Sequence, residues 1–301
     1  MNTKFILALF ALIGAASAGG RPLAPLVRNP DKFSDRHIVV LENEVDVDAF
    51  SSRFSTDSAL IGKTKLVRNL KTALRAVIVD LDPETVDVNS DCNGHGTHCA
   101  GTAAGTEYGV AKEANVYAVK VCNCYGSCST SAVVSGVNYV AEQKRGGVDN
   151  VVASMSLSLN SWSLTTAVEN AIDDGVVVVT SSGNNGYDAC NLVPGNIDAV
   201  ITVGNTQEDD TMRSSSNYGT CVDILAPGTY ITSASHQSDY GSAVKTGTSM
   251  ACPHVAGAAA ILMANRKIQP SSVSDKLVSE ASSNKISGDL KNSPNKLLYV
   301  P

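Results

Sequence analysis

Ser249 stands in Gly247-Thr248-Ser249-Met250-Ala251-Cys252-Pro253-His254-Val255-Ala256-Gly257, ahead of an apolar run that continues to Met263. Small residues on both sides leave a hydroxyl accessible, and a serine so placed at a helix start is a candidate nucleophile for covalent catalysis. Pro253 has no N–H to offer the Ser249 carbonyl, a defect normally tolerated only near a first turn. A plain buried helix would explain Ala256 to Met263 but not Gly-Thr-Ser-Met-Ala. A membrane span needs about 20 apolar residues, more than this run holds. The second chemical stretch is Asn93-Gly94-His95-Gly96-Thr97-His98-Cys99-Ala100-Gly101-Thr102. Glycines beside His95 leave its imidazole unobstructed, as a base approaching a serine hydroxyl requires. His95 and His98 could also suit zinc, but the H-E-x-x-H arrangement needs a glutamate that is absent between them. The third is Ser182-Gly183-Asn184-Asn185-Gly186, where an asparagine side-chain NH2 could donate to a developing oxyanion, although Gly-Asn-Asn-Gly alone would read as a turn.

These residues need elements to hold them. Val116 to Val121, Val151 to Leu157, Val176 to Thr180 and Ala199 to Val203 are continuous apolar runs of the kind buried on both faces of a parallel sheet. Ser129 to Arg145 and Leu164 to Asp174 lie between them with amphipathic helical patterning, which predicts an α/β fold. Ser182 to Gly186 then follows a strand, at the carboxyl end where open α/β sheets place their sites. Residues 19–88 differ in composition, with most of the early charge and no cysteine. There Ile38 to Leu41 and Ala76 to Val79 read as strands and Val45 to Phe54 as a short helix, a small α+β unit.

The 301 residues, 43% hydrophobic and 17% charged, can bury a full globular core. A net charge of -6 provides no basic stripe and argues against nucleic acid as a partner. Met1 to Ala18 carries Lys4, an apolar stretch from Phe5, and Ala16-Ser17-Ala18, the small-x-small form of a signal-peptidase site, so residues 1–18 read as a signal peptide and the product as secreted, with no membrane attachment after cleavage. In a secreted chain eight cysteines imply disulfides, and the spacings of Cys122, Cys124 and Cys128 are not those of a zinc site.

Together and in this order, the three stretches resemble the subtilisin-like serine proteases (peptidase S8), and within them the proteinase K-like branch, over residues 89–301. The resemblance implies a three-layer α/β fold with a mostly parallel sheet, in which His95 is the general base, Ser249 the acylating nucleophile, and Asn184 with the Ser249 N–H the oxyanion hole. It implies peptide-binding edges at Gly126-Ser127 and Ser156-Leu157-Ser158, which would hold extended peptide or protein substrates by β-augmentation. It also implies disulfides Cys92 with Cys124 and Cys190 with Cys221, and a buried free thiol at Cys99; whether Cys122 and Cys128 pair stays open. No cofactor is implied for catalysis, and Val200 with Asp223 would mark a structural calcium site. Residues 19–88 resemble an inhibitory propeptide of the I9 type, a partner of the enzyme's own making, and the mature product would act as a monomer.

The chain departs from the family pattern in two places. Ser158-Leu159 stands where the family usually has Gly-Gly, which would narrow the S1 pocket. No Asp-Thr-Gly occurs anywhere, so the strand that brings the triad aspartate, the N-terminal part of the catalytic domain, is missing between Val88 and Cys92. Asp80, ending Val77-Ile78-Val79-Asp80, is a weak substitute. The expectation is a secreted serine endopeptidase, impaired by that gap; the alternative is an inactive pseudoprotease or a propeptide-like inhibitor. An α/β-hydrolase is disfavoured because Ala251 holds the last position of the Gly-x-Ser-x-Gly elbow.

Overall fold

The computed structural model describes residues 91–300 in full and residues 37–40, 65–70 and 76–80 as backbone. β1 (His37–Val40), β2 (Lys65–Leu70) and β3 (Ala76–Asp80) form an antiparallel sheet in the order β1-β3-β2. Because β3 is central, both of its edges are taken, by β1 and β2, and Asp80 is paired with Lys65. A strand in that position cannot also ladder into a second sheet, so Asp80 is not available as the end of a parallel strand. The signal peptide expected at residues 1–18, the helix expected at Val45 to Phe54 and the junction at Val88 lie outside the described residues.

Between His95 and Leu297 the chain alternates helices and strands: α1 (His95–Ala104), α2 (Thr130–Arg145), β4 (Val152–Met155), α3 (Trp162–Asp173), β5 (Val177–Ser181), β6 (Ile201–Thr206) and β7 (Ile224–Pro227). A hairpin, β8 (Ile231–Ala234) and β9 (Ser242–Lys245), then leads into α4 (Thr248–Asn265), followed by α5 (Val273–Glu280) and the short β10 (Ser282–Ser283) and β11 (Lys296–Leu297). The main sheet runs β10-β11-β7-β6-β5-β4; β4 to β7 and β11 are mutually parallel, and β10 is antiparallel.

Successive residues of a strand face opposite sides, and here both sides are covered. Val152, Val177, Val179, Ile201, Val203 and Ile224 meet α4 on one face. Ala153, Met155 and Val178 meet α2 and α3 on the other, which makes three layers. This double cover is why the strands read as unbroken apolar runs and why α4, buried on all sides, lacks a polar face. α2 starts where Ser129, extended at φ -83, accepts a hydrogen bond from the Ala132 N–H.

One expected strand did not form. Val116 to Val121 carries only isolated bridge positions, at Ala118 and Val121, with further bridges at Asn115 and Cys122 just outside it, and Val116 is 42% exposed. Tyr117 and Val119 rest partly buried against the α2–α3 side of the core. Isolated bridges do not amount to a ladder, and β-propensity alone does not make a strand.

Candidate active site

Ser249 is the second residue of α4, as half-buried as the glycine-flanked entry predicts. Its carbonyl, denied a donor by Pro253, accepts instead from Ser156 Oγ at 2.8 Å and from the Cys99 thiol at 3.3 Å. The helix defect thus becomes the joint between α4, the end of β4 and α1. Burial pushes the Cys99 thiol up to about 12, so it stays protonated and can only donate. Ser249 Oγ donates to the Ser156 carbonyl at 3.4 Å, and no hydrogen bond joins it to His95 among the described residues.

His95 opens α1, after Gly94 in a left-handed conformation at φ 85. The left-handed backbone is what calls for glycine here; a Cβ would also meet the exposed His236 ring, which would have to move. Burial pushes the His95 imidazole below its usual range; the charges of Lys245 and His98 push the same way, and Asp91 opposes them. A neutral imidazole at pH 7 is the form a general base needs. The sulfur of Cys99 lies 4.0 Å from His95 Nδ1, and no carboxylate bonds to this ring among the described residues.

Asp91, which sequence reasoning passed over, organises this helix start. Its Oδ1 accepts from the N–H groups of Asn93 and Gly94 at 3.0 and 2.7 Å, and its Oδ2 from the Thr97 N–H and Oγ1 at 2.9 and 2.7 Å. Burial alone would raise this carboxyl, but the hydrogen bonds together outweigh it and bring it down to about 2. The signal was present in the sequence, an aspartate just ahead of a small-residue helix. With both oxygens occupied, Asp91 caps α1 and is not placed to orient His95. His98 is structural: its Nε2 faces the carbonyls of Ile231 and Ala243 at 2.9 and 3.1 Å, so that nitrogen carries the proton.

Asn184 lies beyond the end of β5. Its Oδ1 accepts from the Thr248 N–H at 2.8 Å and from Thr248 Oγ1 at 3.2 Å, which assigns the amide and leaves Nδ2 as the free donor beside the start of α4. Gly247 lies so close that a Cβ there would be 3.3 Å from Asn184 Oδ1. The loop is shaped from beneath by buried Asn217, whose Oδ1 accepts from the N–H groups of Asn185 and Tyr187 at 3.0 and 3.1 Å. No local pattern could have singled out Asn217, because its partners are about thirty residues away in sequence.

Gly126, at φ 82, and Ser127 form an exposed turn around Asn123, whose Oδ1 accepts from the Ser127 N–H at 3.0 Å. This turn is tied to the His95 loop twice, by the Cys92–Cys124 disulfide and by Asn93 Nδ2 donating to the Cys124 carbonyl at 3.0 Å. A second disulfide, Cys122–Cys128, closes the turn, and Cys190–Cys221 links the segment after Asn184 to the approach to β7. Ser156, Leu157 and Ser158 leave β4 half-buried, with Ser156 on Ser249 and Leu157 packed against the core. Leu159 also packs inward, with its N–H on the Val193 carbonyl at 2.8 Å, so it does not enter the cleft. Val200 and Asp223 lie elsewhere, on the approaches to β6 and β7. Asp223 Oδ2 accepts from the Thr202 N–H at 2.8 Å; burial, and then the neighbouring Asp198, push this carboxyl up to about 6.

With this geometry in view, the chain was compared with known proteins. Residues 62–296 match the model of the subtilase family, peptidase S8. An alkaline serine exoprotease A of Vibrio alginolyticus is 47% identical over 212 residues, 70% of this chain and 39% of that protein. An extracellular serine proteinase of Thermus sp. is 46% identical over 213 residues, 70% of this chain and 51% of that protein. The crystal structure of a cold-adapted subtilisin-like serine proteinase superposes with a TM-score of 0.66 at 47% identity, covering 70% of this chain and 76% of that one. The chain spans about half or less of the length of these curated relatives. The three-layer, mostly parallel sheet agrees with the match: this chain belongs to the subtilase family.

Proposed function

We propose that this chain is a secreted serine endopeptidase that hydrolyses peptide bonds through a Ser249 acyl-enzyme. The observation that carries it is the pairing of Ser249 at the head of α4 with Asn184, whose oxygen is held by Thr248 so that its NH2 is presented free beside the nucleophile. In this reading His95 takes the Ser249 proton and returns it to the leaving amine, while Asn184 Nδ2 and the Ser249 N–H stabilise the oxyanion. An extended peptide lies between Gly126-Ser127 and Ser156-Leu157-Ser158. Ser158, in a position the family usually gives to glycine, narrows the S1 pocket. Turnover is slow, because no carboxylate among the described residues holds His95 Nδ1; in the well-studied triads loss of that group costs about 10⁴ in kcat.

Residues 1–18 serve as a signal peptide, 19–88 as an inhibitory propeptide and 89–301 as the peptidase, which acts as a monomer. The names of the Vibrio and Thermus relatives, an exoprotease and an extracellular proteinase, support secretion. No cofactor takes part in catalysis. A structural calcium ion suits the oxygens of Asp223 and Val200: a half-buried carboxylate near Asp198, with one oxygen not engaged by Thr202, is the situation a hard cation relieves.

The test is a fluorophosphonate probe on the full chain, followed by hydrolysis of a casein substrate. Labelling at Ser249 that disappears in Ser249→Ala and falls in His95→Ala supports the enzyme. A folded chain that resists the probe is a pseudoprotease or an inhibitor, a reading favoured by the absence of a carboxylate on His95 among the described residues.

A further inference from the structure

Lys245 has no part in the chemistry above. In β9 exposed Ser242 and Val244 alternate with half-buried Ala243 and Lys245, so Lys245 lies on the face of the β8–β9 hairpin that rests on α1. Its cross-strand partner is Ile231, and Ala243 pairs with Ser233. That face is docked by three hydrogen bonds: His98 Nε2–H to the carbonyls of Ile231 and Ala243, and Ser233 Oγ to the His98 carbonyl at 2.9 Å. From Lys245 the chain runs through Thr246, whose Oγ1 accepts from the Tyr230 N–H at 2.9 Å, to Gly247, whose N–H is held by the Gly228 carbonyl at 2.8 Å, and so to Ser249. Lys245 is thus fixed between the head of α1 and the head of α4, and among charged groups it acts most strongly on His95. No carboxylate among the described residues forms an ion pair with it. A lysine without a carboxylate partner is open to an anionic group of a ligand.

The peptidase reading tells which part of a ligand would do so. The acyl half of the scissile bond is held at Asn184, and the departing amine must receive its proton from His95, so the side marked by His95 is the leaving side. We propose that Lys245 is a specificity-determining residue whose ammonium takes a carboxylate of the peptide that follows the scissile bond, giving a preference for Asp or Glu within the first two residues on that side. This rests on the peptidase reading only for its orientation; the contact itself is a binding property.

The experiment measures binding of fluorescein-labelled Ala-Ala-Ala-Phe-Glu-Ala-Ala and its Gln and Lys counterparts to the full chain carrying Ser249→Ala. The Glu peptide should bind about 5- to 10-fold more tightly than the Gln peptide at low salt, with the Lys peptide weakest. High salt should shrink the difference, Lys245→Met should abolish it with Gln-peptide binding unchanged, and Lys245→Glu should invert it. Equal binding of the Glu and Gln peptides, a preference that survives in Lys245→Met, or no binding of any peptide overturns the assignment. A chain that prefers Glu through Lys245 but is neither labelled at Ser249 nor able to cut casein would sink the peptidase reading alone. A labelled, active chain without the preference would sink only the role of Lys245.

Discussion

Asn184 commits its oxygen to Thr248, and that bond makes its NH2 a pre-aimed donor rather than a mobile surface group. Asn184→Ala should therefore slow phosphonylation of Ser249 by roughly 10²-fold or more. Asn184→Asp, which keeps an acceptor for Thr248 while losing the donor, should slow it at least as much; equal labelling rates in all three proteins would remove Asn184 from the oxyanion site. Asp91 makes a different kind of prediction. Its folded carboxyl lies at about 2 against an ordinary 3.8, so the stabilisation it gives is complete above 3.8 and is lost as pH falls through 2. Asp91→Ala should cost about 1 kcal/mol at neutral pH, the worth of a helix cap. The gap in thermal midpoint between the two proteins should close in strong acid.

At the scale of elements, the site depends on how tightly α1 and α4 approach. A Cβ on Gly257 would lie 2.7 Å from both the Ala103 carbonyl oxygen and Val110 Cβ. Gly257→Ala should therefore destabilise by about 1–3 kcal/mol, as overpacking does. It should also slow Ser249 labelling by moving the head of one helix against the other, and a variant as stable and as reactive as the parent would contradict this packing. The Cys92–Cys124 bond spans 32 residues and clamps the Gly126 turn to the His95 loop. Serine at both positions should cost about 4 kcal/mol on loop-entropy grounds, read as a lower midpoint in chemical denaturation.

For the whole molecule, the largest prediction concerns the strand proposed to be missing between Val88 and Cys92. Inserting there an apolar strand that ends in Asp-Thr-Gly should raise kcat on a peptide substrate by up to about 10⁴, because His95 would gain the carboxylate that sets its tautomer. Millimolar calcium should raise the thermal midpoint of the parent chain and leave that of Asp223→Asn unchanged. The candidate reacting residues could be picked out of the sequence because their requirements are local: glycine around His95 and before Ser249, an asparagine in a loop after a strand, and a proline that cuts one helix bond. The doubly buried strands were legible because a sheet covered on both faces needs an unbroken apolar run, and β4, β5 and β6 answer to such runs. Tertiary structure alone decided what depends on distant partners. It settled that Ser156 Oγ, from 93 residues away, satisfies the carbonyl Pro253 leaves open, and that Val116 to Val121 stays unladdered. It placed Asp80 in a different sheet and Lys245 on the face of the β8–β9 hairpin that rests on α1. A local pattern records what a residue can do, whereas pairing across a hundred residues is determined only when the chain closes on itself.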